Sequence, residues 1–359
     1  MHRFILKRLY YGFFVLFGVI TLVFLLFNVL PGDPARMMLG QRADMVSVEA
    51  INRELGLDRP LAVQYLGFLN DLSPVSFHSV SSRSSVWYPD SARYAPFVTL
   101  ASVGDARILL KKPWLRRSYQ SKRKVSEILA EAFPNTMLLA TIAMGFAAIV
   151  GIFAGIVSVV RKDTLVDKAS LFLSVLGMSL PSFFAAILIA WIFAFVLGGI
   201  TGLNMSGSLF AVDDFGRGEY LELKNLILPA LTLGIRPLAI ITGLTRSSML
   251  EVMSQDYIRT ARAKGLPFRK VISRHALRNA LNPVVTAISG WFASLMAGAV
   301  FVEYVFDWKG IGVVIVNGLE KYDFPVVMGA ILFIAVLLVI INIFVDIIYG
   351  LLDPRVRLA

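Results

Sequence analysis

The chain has 359 residues, of which 57% are hydrophobic and only 16% charged, and its mean hydropathy is +0.72. Soluble domains carry about 25% charged residues, so this composition describes an integral membrane protein. The absence of cysteine excludes disulfides, haem thiolates and zinc–thiolate sites, and the net charge of +11 points to an anionic partner only where it is concentrated.

Crossing about 30 Å of hydrocarbon takes roughly 20 apolar residues, and six stretches qualify. The first, 9–30, is uncharged, too long for a signal-peptide core and without a small-residue cleavage site, so it is expected to remain as an anchor. A long loop follows, 31–131. Its first half predicts a helix capped by Ser47, with Val48, Ile51 and Leu55 on one face and Gly56 as a stop, then a second helix starting near Pro60. Its second half, 73–124, mixes serines, aromatics and the basic run "KKPWLRRSYQSKRK", and both short strands and disorder remain open there. The second span lies within 132–160. The third runs from Ala169 past Pro181 to about Gly199, and the fourth from Leu226 to Thr245 with Arg236 inside it. The fifth is 283–302 and the sixth 324–352, which contains Asp346. The expected architecture is an all-α membrane protein of six transmembrane helices with a large external loop. Three regions result: 1–30, 31–131, and a five-helix core at 132–359 whose loop 249–282 carries most of the charge.

Arg3, Lys7 and Arg8, then Arg161, Lys162 and Lys168, then the 257–279 loop, and finally Arg355 and Arg357 all fall on one side if the spans alternate. The opposite short loops are acidic, with Asp213, Asp214, Glu219 and Glu222 in one and Glu303, Asp307, Glu320 and Asp323 in the other. The positive-inside rule therefore puts both termini in the cytoplasm. The long loop, with fourteen basic and ten acidic residues, does not overturn this, because long loops translocate largely regardless of charge.

Catalytic signatures are missing. No phosphate-binding loop, HExxH or GxSxG is present, and His2, His78 and His275 are too scattered to hold a metal. Inside the spans, Arg236 invites two readings: a cavity-lining cation that attracts a solute carboxylate, or a structural pair that snorkels. For Asp346 the depth-matched partner is Arg246 or a backbone donor. Asn342, one turn earlier on the same face, supports a structural polar contact between helices.

"YIRTARAKGLPFRKVISRHALRN", Tyr257–Asn279, holds seven Lys or Arg and no acid. Met253–Lys264 predicts a short helix capped by Ser254. It has a small-residue face at Tyr257, Ala261 and Ala263, flanking Arg259, Arg262 and Lys264, and a stop at Gly265 before Pro267. A second amphipathic helix follows over 268–280. Nucleic-acid binding lacks an accompanying fold. Anchoring on anionic lipid explains the charge but not the alanine face or the glycine stop, and a docking helix explains both.

This segment, extended to "YIRTARAKGLPFRKVISRHALRNALNPV", resembles the cytoplasmic loop of binding-protein-dependent ABC importer permeases. The closest resemblance is to the B-type membrane subunit of dipeptide and oligopeptide importers, the OppB/DppB family. "LFNVLPGDPARMMLG", "LGLDRPLAVQYLGFL", "PNTMLLA", "LPALTLG", "LTRSSMLEVM", "FVEYVFDWKGIG" and "DPRVRL" follow in the same order. The resemblance implies a type I ABC importer permease fold and a coupling role for Arg259, Thr260, Ala261, Arg262, Ala263, Lys264 and Gly265. It also implies a paralogous six-helix permease, two ABC ATPase subunits that carry ATP and Mg, and an extracytoplasmic solute-binding protein, all seated in membrane lipid. No cofactor or nucleic acid is expected on this chain. The basic loop 73–124 departs from the family pattern. Peptide is the implied solute, with nickel, glutathione or an opine as alternatives. An ATP-independent secondary transporter is disfavoured because so few ionisable groups lie inside the spans.

Overall fold

The computed structural model describes residues 2–29, 58–81, 87–94, 96–212 and 218–352, with residues 45, 48, 49 and 52 between them. The expected cap Ser47 and stop Gly56, the loop acids Asp213 and Asp214, and the tail residues Arg355 and Arg357 lie outside these. In chain order the principal elements are α1 (His2–Val29), α2 (Leu61–Leu72), β1 (Val75–Ser79), β2 (Phe97–Val103), β3 (Ala106–Lys111) and α3 (Val125–Val160). Then come α4 (Leu165–Ser179), α5 (Ser182–Ile189), a short hairpin of β4 (Phe210–Val212) and β5 (Glu219–Leu221), and α6 (Lys224–Met253). The chain ends through α7 (Asp256–Ala263), α8 (Leu277–Gly298), α9 (Val300–Val305), α10 (Ile311–Glu320) and α11 (Phe324–Leu352).

Among the described residues four helices, α1, α3, α6 and α11, are long and apolar enough to cross a membrane, and α4 with α5 and its continuation to Val196 adds a fifth if counted as one span. Helix α8 has the length, 22 residues, but includes Arg278, Asn279 and Asn282. The third span is not straight. Its two halves meet at 112° across Leu180-Pro181. Pro181 has no N–H and pushes the preceding residue into extended backbone, and Leu180 indeed has ψ 129°. In contrast, α6 runs unbroken through Pro229 and Pro237, although each proline removes one helix N–H.

Contacts divide the chain into two compact units. The N-terminal unit comprises residues 2–131 and 314–337. In it, Val23 and Phe24 of α1 pack with Phe68 of α2 and with Met328 and Leu332 of α11. The segment left open as strands or disorder contains an antiparallel sheet of order β1-β3-β2. Alternation in β1 sends Ser76 and His78 inward and leaves Phe77 exposed. The β2–β3 turn uses Gly104 at φ +57°, in the left-handed region open to glycine.

The core unit comprises residues 132–313 and 338–359. Here α3 lies against α6 almost backbone to backbone. A Cβ on Gly151 would come within 3.0 Å of the Leu238 carbonyl oxygen, and one on Gly155 within 2.9 Å of that of Thr242. The pair forms a GxxxG face, the small-residue device for close helix approach in membranes.

Candidate functional site

The basic segment after α6 begins one turn later than its sequence predicts. Ser254 does not cap a helix start. Its hydroxyl donates to the Glu251 carbonyl at the end of α6, and α7 starts at Asp256 after the extended residue Gln255. The predicted stop at Gly265 is present, at φ +75°. The Gly265 N–H donates to the Arg262 carbonyl (2.9 Å), and the Leu266 N–H reaches back to that of Ala261 (3.4 Å). These paired bonds form a Schellman cap. Pro267 follows, and the chain re-enters a helix that passes through a π turn at Val271–Ala276 into α8.

A correction concerns the alanine face. Ile258 and Ala261, three residues apart on α7, point into the protein's own core with Val159, Met249, Val271, Ile272, Ala276 and Ala280. Ala261 is only 7% exposed, so it seats the helix and does not present it. The other six coupling candidates, Arg259, Thr260, Arg262, Ala263, Lys264 and Gly265, are exposed. Arg262 stacks on the Phe268 ring (5.4 Å to its centroid), and Arg259 pairs with Asp256 at 3.4 Å. Asn279 donates to the Tyr257 hydroxyl (2.8 Å), which ties the start of α7 to α8. The result is a short, capped helix with an apolar underside held by the core and a cationic upper face.

Arg236 is exposed on α6, and its side chain makes no hydrogen bond or ion pair among the described residues. Arg246 does not have Asp346 as its described ion-pair partner. It grips Asp167 of α4 in a bidentate pair, Nε to Oδ1 at 2.7 Å and Nη2 to Oδ2 at 2.9 Å. The Ser158 hydroxyl also donates to Oδ1, and the Asp163 N–H donates to Oδ2 at 3.1 Å. Asp167 wins because it lies in the first turn of α4, where two further donors converge. Asn342 is exposed and Asp346 half-buried on α11.

Sequence reasoning missed Asp167 by counting only the cations of its connection. It also missed how "PNTMLLA" and "FVEYVFDWKGIG" interlock. Asn135 donates to the Lys309 carbonyl (2.8 Å) while the Trp308 indole donates to the Asn135 carbonyl (3.0 Å). The Ile311 N–H donates to the Thr136 hydroxyl (2.9 Å), and the Gly312 N–H donates to the fully buried Glu303 (2.6 Å). The turn after α9 is therefore latched onto α3.

The bent span, the close-packed α3–α6 pair and the capped cationic helix describe a helical core built for a membrane. The inward-facing MetNI methionine ABC transporter has a similar fold, with TM-score 0.50 at 16% identity over 64% of this chain and 97% of that one. Residues 129–358 match the family described as binding-protein-dependent transport system inner membrane component, and residues 1–84 match its N-terminal region. The chain belongs to this family and is a multi-pass permease subunit of a binding-protein-dependent ABC importer. It is 35% identical to the di/tripeptide transport system permease protein DppB of Pseudomonas aeruginosa, over 99% of both chains. It is 38% identical to a putative peptide transport system permease protein of Brucella abortus, again over 99% of both. The dipeptide transport system permease protein DppB of Escherichia coli K12 is 34% identical over the same share.

Proposed function

We propose that this chain forms half of a translocation path for di- or oligopeptides and couples to a separate ATPase through the 257–279 loop. The exposed cationic face of α7, seated on the chain's own core and ended by a rigid cap, carries the reading, and the peptide-permease names of full-length relatives supply the solute class. A paralogous permease completes the path, two ATPase subunits carry the ATP chemistry, and an extracytoplasmic binding protein delivers the peptide. Both termini then lie in the cytoplasm with α7. Arg236, exposed on α6, lines the path and attracts the peptide carboxylate. The test is purification from membranes in mild detergent. An ATPase should accompany the chain and be lost on Arg262→Glu/Lys264→Glu. Recovery without any ATPase overturns the coupling reading, and unchanged dipeptide uptake kinetics in Arg236→Ala overturns the assignment of that residue.

A further inference from the structure

We infer that Asp167 and Arg246 are positioning residues. Their pair fixes the floor on which α7 sits, so that movement of the docked helix reaches α3, α4 and α6 together. The inference rests on the coupling reading of α7.

The geometry supplies the argument. Arg246 lies on α6 three residues before Met249, and Ser158 on α3 immediately precedes Val159. Met249 and Val159 are the α6 and α3 contributions to the buried cluster that holds Ile258 and Ala261 of α7. One carboxylate, Asp167 of α4, accepts from both of the neighbouring polar residues, so three helices are tied at the level of that cluster. The Asp167 side chain is 3% exposed and that of Arg246 20%. A planar guanidinium that makes two parallel bonds sets direction as well as distance, which an ammonium cannot do. Close by, Gly155 is packed against Thr242 and Thr245, which leaves α3 little room to slide on α6. A rigid three-helix junction directly under a docking helix transmits displacement, and a loose one absorbs it.

The experiment uses the full importer reconstituted in liposomes with its binding protein, reading dipeptide uptake and ATP hydrolysis in parallel. Arg246→Lys and Asp167→Asn are expected to lower dipeptide moved per ATP about tenfold with the ATPase still present at the wild-type ratio. The double variant Asp167→Asn/Arg246→Lys should be no worse than the worse single one. Unchanged transport per ATP, or losses that simply add, overturns the inference. A second reading does not need an assembled importer. The chain has no cysteine, so Thr260→Cys carries a single spin label on α7 in the detergent-purified chain. Arg246→Lys should make that label more mobile, while Arg123→Gln, which breaks an exposed pair in the N-terminal unit, should not. A label equally ordered in both overturns the inference. If the wild-type chain binds no ATPase, the coupling reading fails on its own, and label mobility still decides whether the pair holds α7.

Discussion

Two basic stretches of similar composition behave differently. In 107–124, several cations are tied to neighbours. Lys111 donates to the Asp71 carbonyl at 2.7 Å and lies over the Tyr94 ring, and Arg116 pairs with the Asp71 carboxylate at 3.5 Å. Arg123 pairs with Glu131, and Lys124 with Glu127 at 3.8 Å. In 257–279, Arg259 has Asp256 and Arg262 has an aromatic ring, whereas the side chains of Lys264, Arg269, Lys270, Arg274 and Arg278 make no hydrogen bond or ion pair among the described residues. Charge in the first stretch is internal architecture, and charge in the second is offered outward. Exposed ion pairs contribute little stability, typically 0 to about 1 kcal/mol. What separates the stretches is therefore availability and not strength.

The largest effect that can test this contrast comes from backbone strain. Gly265 and Gly104 both occupy left-handed backbone, at φ +75° and +57°. Valine at either costs about 1–3 kcal/mol. Gly265→Val should also destroy the Schellman cap and reduce ATP-driven uptake about tenfold or more, with membrane insertion intact by protease protection. Gly104→Val should weaken only the sheet hairpin and leave uptake near wild type. Equal losses in the two variants would erase the distinction.

Next is the division of α7 itself. Ala261→Leu forces bulk into the cluster with Ile258 and Val271, at a cost of about 1–3 kcal/mol, and should lower the melting temperature of the purified chain. Ala263→Leu adds bulk on the exposed side and should leave melting unchanged while weakening ATPase recovery. A reversed order would mean that α7 presents the opposite face. Smaller still is charge reversal. Lys264→Glu should weaken ATPase association several-fold and make it less salt-sensitive, whereas Lys122→Glu, also exposed, should change neither.

How much of this the sequence shows depends on how local the cause is. The stop at Gly265 is legible because glycine followed two residues later by proline leaves a helix nowhere to continue. The family is legible because the motifs lie in order along the chain. The inward turn of Ala261 is not, since a small residue suits a docking face and a tight core equally. The choice of Asp167 over Asp346 for Arg246 is a tertiary fact, decided by Ser158 and Asp163 converging on one carboxylate. The sheet in 73–124 was ambiguous because its strands are short, five to seven residues each. Even so, the GxxxG of α3 stood in plain view at Gly151 and Gly155 and marks a close approach to α6.

The smallest predicted effect lies in the N-terminal unit and depends on pH. His78 is buried, with Nδ1–H donating to the Trp87 carbonyl (3.2 Å) and Nε2 3.0 Å from the Ser76 hydroxyl, partners that the neutral ring satisfies. Burial holds its pKa below the usual 6.5, and the nearby Lys111 ammonium lowers it further, against the opposing influence of the Trp87 hydrogen bond and Asp71. Above pH 6.5 both folded and unfolded forms are neutral and the stability contribution is complete. As pH falls, the unfolded form takes up its proton first, so the contribution is lost as pH drops through the folded pKa. Burial also lowers Lys111, to about 8, but the differential uptake that follows lies between that value and 10.5, well above the histidine window. The protection factors of amides in β1 and β3 of the full chain, taken against the intrinsic exchange rate at each pH, should therefore fall between pH 7 and pH 5. His78→Gln keeps a donor for Trp87 without a titrating ring, and should flatten that dependence while leaving α7 exchange untouched. Acid-sensitive exchange that survives in the glutamine variant would assign the effect to another group and leave His78 a packing residue.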